Sequence, residues 1–316
     1  DATTLLVSEI GNHRILGFSP PFGENGPTAT MVFGQADFDS GSANQGNSSP
    51  TEYSLFAPTG MTVVDGATRL LFVADQGNHR VLRYSLPSTR ADLVLGQADF
   101  TSGKINRIGS GVAAADTMSF PIDVVSDGTR LVVADPSNYR VLIWNSFPRN
   151  GRTAPDLVLG QADMMGDKPN GGSALSAAGM SSPYGITVEN GRLAVVDQGN
   201  HRVLIWNQIP VQSNQPADLC IGQVSCTSNT PGTSATTLRN PTGCQMAQGT
   251  LYVSDAGNHR VLVFPDPSTQ NAAAMLALGQ PNLSTGSVNT GGQSASTLAT
   301  PFNVKVDSGR VFVVDT

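Results

Sequence analysis

The stretch "DQGNHRVL" occupies residues 75–82 and occurs again, letter for letter, at 197–204. An Asp, a His and an Arg so close together have the chemistry of a catalytic cluster when they occur once. Recurrence changes the reading, because a catalytic histidine is positioned once whereas a structural one can be repeated. Related copies read "GNHRIL" at 11–16, "SNYRVL" at 137–142 and "GNHRVL" at 257–262. The acidic residue opening each copy falls at Glu9, Asp75, Asp135, Asp197, Asp255 and Asp315, in steps of 66, 60, 62, 58 and 60. Self-similarity at a period of this size marks a repeat architecture.

Two further series keep the period. "VFGQADF", "LVLGQADF", "LVLGQADM", "LCIGQVSC" and "LALGQPNL" place Gln35, Gln97, Gln161, Gln223 and Gln280 in register, and Pro58, Pro121, Pro183, Pro241 and Pro301 each open a further run. Each unit reads as four short strands, A to D, at Pro58–Val64, Leu70–Ala74, Arg80–Ser85 and Leu93–Gln97 in the best-formed copy, with turn residues between the first three. Strands B and C are apolar on both faces, Leu71 and Val73 alternating with Phe72 and Ala74, so the sheet must be covered on both sides. Four-stranded antiparallel units arranged radially as blades meet that requirement, whereas a two-sheet sandwich leaves one face of each sheet wet. The expected fold is all-β, a β-propeller with residues 1–316 as a single domain. A linear β-solenoid has shorter coils and no recurrent four-strand pattern.

Composition agrees. The 316 residues are 39% hydrophobic and 13% charged, enough to bury a large core, and 34 Gly and 20 Pro punctuate short strands. A net charge of -6 with three lysines, Lys104, Lys168 and Lys305, removes the basic footprint that nucleic acid requires, so no nucleic-acid partner is expected. No run approaches the roughly 18 consecutive apolar residues of a spanning helix, so no membrane insertion is expected. The N-terminal "DATTLLVSEIG" has neither the basic nor the apolar region of a secretory signal, and the chain reads as a mature or excised segment.

The five GNHR-type copies, each preceded by an apolar strand ending in an acidic residue, resemble the NHL-repeat family, named for its Asn-His-Leu signature. The resemblance covers essentially the whole chain and implies a propeller, usually of six blades. It says little of activity, because NHL propellers serve as RNA binders, sensor domains, adhesive modules and lyases. It also implies a bacterial protein that is secreted, at the cell surface or periplasmic. Strands A, C and D occur five times and strand B six times; Asp1 aligns with Asp65, in the turn between A and B, and "RVFVVDT" stops at the end of the last B. Six blades with incomplete terminal blades is the expectation from the resemblance. Five, with residues 301–307 supplying strand A to the N-terminal B, C and D strands, is the alternative. Open strand edges invite pairing with another chain, so self-association through the incomplete blades is expected.

No residue is assigned a catalytic role. The structural motif comprises Asp75, Asn78, His79 and Arg80; Asp135, Asn138 and Arg140, with Tyr139 in place of His; Asp197, Asn200, His201 and Arg202; and Asp255, Asn258, His259 and Arg260. Gly77 and Asn78 are expected to supply the turn conformations, and the Asp and Arg to satisfy backbone groups or each other between blades. NHL-type peptidylglycine amidating lyases carry zinc-binding histidines just after the Pro that opens strand A. Here those positions read Thr59-Gly60, Ile122-Asp123, Tyr184-Gly185, Thr242-Gly243 and Phe302-Asn303. Asp123 and Asn303 alone offer ligands for a channel-mouth site, short of the roughly six or more oxygens a calcium ion takes. No cofactor is expected, and a divalent cation in the central channel would rest on that pair.

Function is therefore expected where repeats differ, in the D-to-A connections 38–57, 100–120, 164–182, 226–240 and 283–300, which are long, loops beyond about 12–15 residues being uncommon. They carry isolated apolar residues, Tyr53, Phe56, Ile105, Met118 and Phe120. The expected function is a non-catalytic binding or scaffold module presenting these loops to a protein or glycan partner. The alternatives are a metal-dependent lyase- or hydrolase-like enzyme at the channel mouth, and a structural repeat segment of a larger surface or filament protein. In an oxidising compartment a disulfide between Cys226 and Cys244 is expected, with Cys220 a small buried apolar residue.

Overall fold

Alternating β-branched and aromatic residues bounded by Gly, Asn and Asp produce twenty-one strands among the residues that this computed structural model describes, 4–20, 26–107 and 111–316. Sheet 1 contains β1 (Leu5–Glu9), β2 (Arg14–Phe18) and β3 (Met31–Phe33). Sheet 2 contains β4 (Pro58–Val64), β5 (Leu70–Asp75), β6 (Arg80–Ser85) and β7 (Ala91–Leu95). Sheet 3 contains β8 (Asp123–Ser126), β9 (Leu131–Asp135), β10 (Arg140–Trp144) and β11 (Leu157–Leu159). Sheet 4 contains β12 (Pro183–Glu189), β13 (Arg192–Asp197), β14 (Arg202–Trp206) and β15 (Leu219–Ile221). Sheet 5 contains β16 (Cys244–Ala247), β17 (Thr250–Asp255), β18 (Arg260–Phe264) and β19 (Leu276–Leu278), and sheet 6 is the hairpin β20 (Pro301–Asp307) and β21 (Arg310–Asp315). Strands adjacent in sequence are adjacent in each sheet.

This is an all-β propeller of four-stranded antiparallel blades, with no α-helix among the described residues. Its blade count is five, the alternative, and not the six that the NHL resemblance implied. The strand census explains why: A, C and D are each present five times and B six times, β1 and β21 being the B strands of the two incomplete sheets. Residues 301–307 pair with β21 in a sheet of their own, from Pro301↔Asp315 to Asp307↔Arg310. Asp1, aligned with Asp65, lies outside the described residues.

Strand D of the second sheet spans Ala91–Leu95, two residues earlier than expected. Gly96, at φ +87°, breaks the strand and releases Gln97 into the turn beyond it.

The chain divides into two compact units, residues 1–133 with 144–156, and residues 134–143 with 157–316. In the first, Ile15, Phe33, Leu71, Val73, Leu82 and Tyr84 form one buried cluster between sheets 1 and 2. In the second, Ala194, Val196, Val203, Val253, Leu262 and Phe264 do the same between sheets 4 and 5. Both faces are buried in the B and C strands of sheets 2 to 5, as at Leu71, Phe72, Val73 and Ala74, each fully buried Val, Leu or Phe contributing about 1.5–3 kcal/mol, whereas β1 and β21 keep exposed apolar residues such as Leu5 and Phe312. Strand A of one sheet lies directly against strand A of the next, β4 on β8 in the first unit, β12 on β16 and β16 on β20 in the second. The contact is backbone to backbone: Gly185 N–H donates to Thr242 O at 2.9 Å, and a Cβ at Gly185 would stand 2.8 Å from Gly243 Cα.

Candidate functional site

The repeated motif begins with a tight turn. Gln76–Asn78, Pro136–Asn138, Gln198–Asn200 and Ala256–Asn258 each form one 3-10 turn, closed by a residue in the left-handed region: His79 (φ 55°), Tyr139 (55°), His201 (55°) and His259 (53°). The expectation that Gly77 and Asn78 supply the unusual conformations is corrected. The strained position is the His or Tyr, at about 1–2 kcal/mol for a non-glycine residue. Gly77 is needed for space, since a Cβ there would lie 2.8 Å from Phe56 O.

The turn brings Asp75 opposite Arg80 across the β5–β6 pair. Asp75 Oδ2 accepts Arg80 Nε at 2.6 Å and Asn78 Nδ2 at 2.8 Å, while Oδ1 accepts the Phe56 N–H at 2.7 Å. Arg80 sends Nη1 to Phe100 O at 2.6 Å and Nη2 to both Thr51 O and Ser54 O at 3.0 Å. One guanidinium therefore binds the end of the incoming D-to-A loop and the start of the outgoing one.

The set recurs. Asp197 accepts Arg202 Nε (2.8 Å), Asn200 Nδ2 (2.7 Å) and the Ser181 N–H (2.6 Å), and Arg202 reaches Ser176 O, Gly179 O and Cys226 O. Asp255 accepts Arg260, Asn258 and the Arg239 N–H, and Arg260 reaches Ser234 O, Thr237 O and Leu283 O. Asp135 accepts Arg140 and Asn138, and Arg140 reaches Met164 O. Glu9 and Arg14 make the equivalent pair in sheet 1. The four Asp–Arg pairs are fully buried, side chains at 0% exposure. Burial pushes the carboxyls of Asp197 and Asp255 up, and the facing Arg202 and Arg260 oppose it. Such pairs are tolerated only when nearly every donor and lone pair is used, as here.

The histidines act at the far end of the outgoing loop. Nδ1 of His13, His79 and His201 accepts the N–H of Ala57, Phe120 and Asn240 at 3.1 Å, each the residue just before a strand-A proline. Phe56 packs edge-on to the His13 ring at 5.2 Å and Phe120 to that of His79 at 4.2 Å. In the last repeat the Thr300 N–H turns instead to Asp315 Oδ1 (3.1 Å), and His259 Nδ1 is left buried without a partner.

An acceptor nitrogen is an unprotonated one, and burial pushes the His79 value down to about 4. The folded state thus favours the neutral ring, its contribution is complete above the free-histidine value, and it fades as pH falls toward 4. Urea unfolding is expected to show a lower midpoint at about pH 4.5 than at about pH 7.5, and His79→Tyr, which copies Tyr139, to flatten that dependence.

The long loops prove to be repeated elements. Gln97 Nε2 donates to His79 O at 3.0 Å and Lys104 O at 2.9 Å, and Gln35, Gln161, Gln223 and Gln280 do the same in their repeats. Nine residues after each Gln, the N–H of Asn44, Asn106, Asn170, Gly232 or Asn289 donates to the carbonyl of Leu55, Met118, Met180, Leu238 or Leu298. That apolar residue stands three before each strand-A proline and packs on the glycine just before each Gln. At Gly222, φ +88°, a Cβ would lie 2.5 Å from Leu238 Cδ1. Asn44 and Asn78 exchange side-chain hydrogen bonds at 2.8 and 3.1 Å. Between Asn44, Asn170 or Gly232 and the first Arg-bound carbonyl, at Thr51, Ser176 or Ser234, only 45–50, 171–175 and 233 remain, so length varies at these tips alone. The constant spacing of nine was present in the sequence and was missed. In the loop 100–120, residues 108–110 lie outside the described residues.

Asp123 and Asn303 fall in different units. Asp123, on β8, is buried, faces Gly60 and accepts the Val124 N–H at 2.9 Å. Asn303, on β20, faces Gly243 and accepts the Val304 N–H at 2.8 Å. Both occupy the strand-A position that is glycine in the other repeats. Among the described residues no three His, Cys, Asp or Glu cluster closely enough to hold a metal ion.

The disulfide expectation is corrected. The bridge joins Cys220 and Cys226, Cα atoms 5.5 Å apart, because left-handed Gly222 reverses the chain directly after β15. Cys244 is buried in β16 with its Sγ 3.7 Å from Gly185 O. Closing so short a loop is worth about 2 kcal/mol in the chain-entropy treatment. Cys226→Ser is expected to lower unfolding stability by that amount, with no further loss on adding a reductant.

Fold and site together define a β-propeller whose B–C turns clamp its D-to-A loops. Among known proteins, no family profile and no curated sequence matches the chain. Solved structures do. A streptogramin B lyase matches with a TM-score of 0.52 at 12% identity, over 99% of this chain and 72% of that one. A catalytically inactive virginiamycin B lyase from Staphylococcus aureus with quinupristin matches with a TM-score of 0.51 at 11% identity, over 99% and 73%. These neighbours are propellers, and likeness at this identity concerns the fold alone.

Proposed function

We propose that the chain is an NHL-type, non-catalytic module of a secreted or cell-surface bacterial protein, a scaffold that holds the tips of its D-to-A loops toward a protein or glycan partner. The observation that carries this reading is where the polar chemistry goes. The motif's Asp, Asn, Arg and Gln side chains are consumed in clamping the loops, and what varies from repeat to repeat is the tip. Rigid presentation lowers the ordering entropy of binding, which is how preorganised loops gain affinity.

A catalytic reading at Asp123 and Asn303 gains no support from their geometry, since each side chain turns to the N–H of its own neighbour. No cofactor enters the proposal. The test is to screen the protein against a glycan array and a displayed peptide library, then remeasure every ligand with residues 45–50 and 171–175 replaced by Gly and Ser. The reading expects each specific ligand to lose affinity. Ligands bound unchanged, or a thermal shift with stoichiometric calcium or zinc abolished by Asp123→Ala, would overturn it.

A further inference from the structure

The C-to-D connection of sheet 3, "NSFPRNGRTAPD" at 145–156, is longer than its counterpart in sheet 2 and is held at several points. Trp144 Nε1 donates to Thr153 O at 2.9 Å, and the Asn145 N–H to Asp156 Oδ2 at 2.7 Å. Pro148 O accepts Arg83 Nη1 at 3.1 Å, and the Phe147 ring packs on Phe72 with centroids 5.6 Å apart. Between this connection and the 126–130 turn lies an open groove of about 470 Å³, within the first unit, lined chiefly by Arg83, Thr129, Ser146, Phe147 and Arg149.

The lining contains no carboxylate. Asp127, beside it, is turned to the N–H groups of Thr129 and Arg130 and pairs with the Arg130 guanidinium. The charge of Arg83 is balanced by Asp92 at 2.6 Å, and its side chain lines the groove. Arg149 is exposed and has no hydrogen-bond or ion-pair partner among the described residues, and neither have the hydroxyls of Thr129 and Ser146. An acidic protein thus keeps one uncompensated guanidinium, two unused hydroxyls and a supported aromatic ring around one concavity.

We propose that this groove binds a saccharide bearing a carboxylate, a uronic acid unit. The guanidinium fork matches a carboxylate in two parallel hydrogen bonds. Thr129 and Ser146 match ring hydroxyls, and Phe147 offers an apolar face to the C–H side of a pyranose. The volume lies within the range of small-ligand sites, about 300–1,000 Å³. One uncompensated positive charge suits one carboxylate of the saccharide. An acidic peptide would bring carboxylates but no pyranose face to lie on Phe147. This site is separate from the loop tips and does not depend on the function proposed for them.

Titration calorimetry with digalacturonate and its neutral counterpart galactobiose tests the assignment. Digalacturonate should bind at submillimolar to millimolar concentration and galactobiose should not. Arg149→Ala should weaken binding at least about ten-fold, and Arg149→Lys, which keeps charge but loses the fork, by about three-fold. Both variants should retain the parent unfolding midpoint, because Arg149 supports no other group. The proposal is overturned by absent binding of digalacturonate, by equal binding of galactobiose, or by unchanged affinity in Arg149→Ala. Tighter binding of a tetraglutamate peptide would also overturn it and assign the groove to acidic peptides.

Discussion

Arg202→Leu is expected to lower the stability of the folded protein by about 3–5 kcal/mol, the loss that follows removal of one partner from a buried ion pair. The apolar replacement fills similar space, so the effect is electrostatic. With Arg202 gone, Asp197 at 0% exposure would have to hold an unpaired charge or take up a proton, either at a cost, and the carbonyls of Ser176, Gly179 and Cys226 would lose their donor. Adding Asp197→Asn should recover part of the loss, because an amide costs less to bury than an unpaired carboxylate. Arg202→Lys should fall between, since an ammonium cannot serve acceptors on both loops at once. Urea unfolding of the three variants checks this. A loss below about 1 kcal/mol for Arg202→Leu would place the pair with ordinary surface salt bridges and refute its clamping role.

Gly222→Val is expected to cost about 3 kcal/mol or more, as two penalties act together. A β-branched residue resists φ +88°, and its Cβ would press on Leu238, itself fully buried. Gly249→Val isolates the first penalty, because that glycine has φ +78° with nothing within 4 Å of a Cβ. The difference between the two variants then measures the packing of Leu238 on the turn at Gly222. Equal losses would mean that Leu238 moves aside freely and that the loop is not anchored there.

Much of this was legible in the sequence, and the misses share a physical cause. Strand number and type followed from repetition and from two-faced apolarity, which leave one architecture open. The structural role of His79 and Arg80 followed from recurrence alone. The direction of their bonds did not, because Arg80 acts on Thr51 and Phe100, far away along the chain in both directions. Propensity gives the unusual turn conformations to Gly77 and Asn78, whereas the demand for space beside Phe56 claims the glycine and leaves the strain to His79. Cys226 was matched to Cys244 across blades because the reversal at Gly222 is a backbone event that spacing does not reveal. The groove beside Arg149 has no sequence signature, since its members come from one strand and two connections that lie far apart along the chain.

The clamped loops give the molecule a property of its own as a frame. From Gln to Asn, and from the Arg-bound carbonyls to the proline of the next strand A, the chain length is constant: Thr51 to Pro58, Ser176 to Pro183 and Ser234 to Pro241 are each seven residues. The uneven length of these three loops is absorbed at their tips, where a single residue at 233 does the work of six at 45–50. Lengthening a closed loop costs only about 0.6 kcal/mol per doubling. Each of these three loops is therefore a splice site, able to accept a foreign peptide between two clamps without disturbing the register of the sheets on either side.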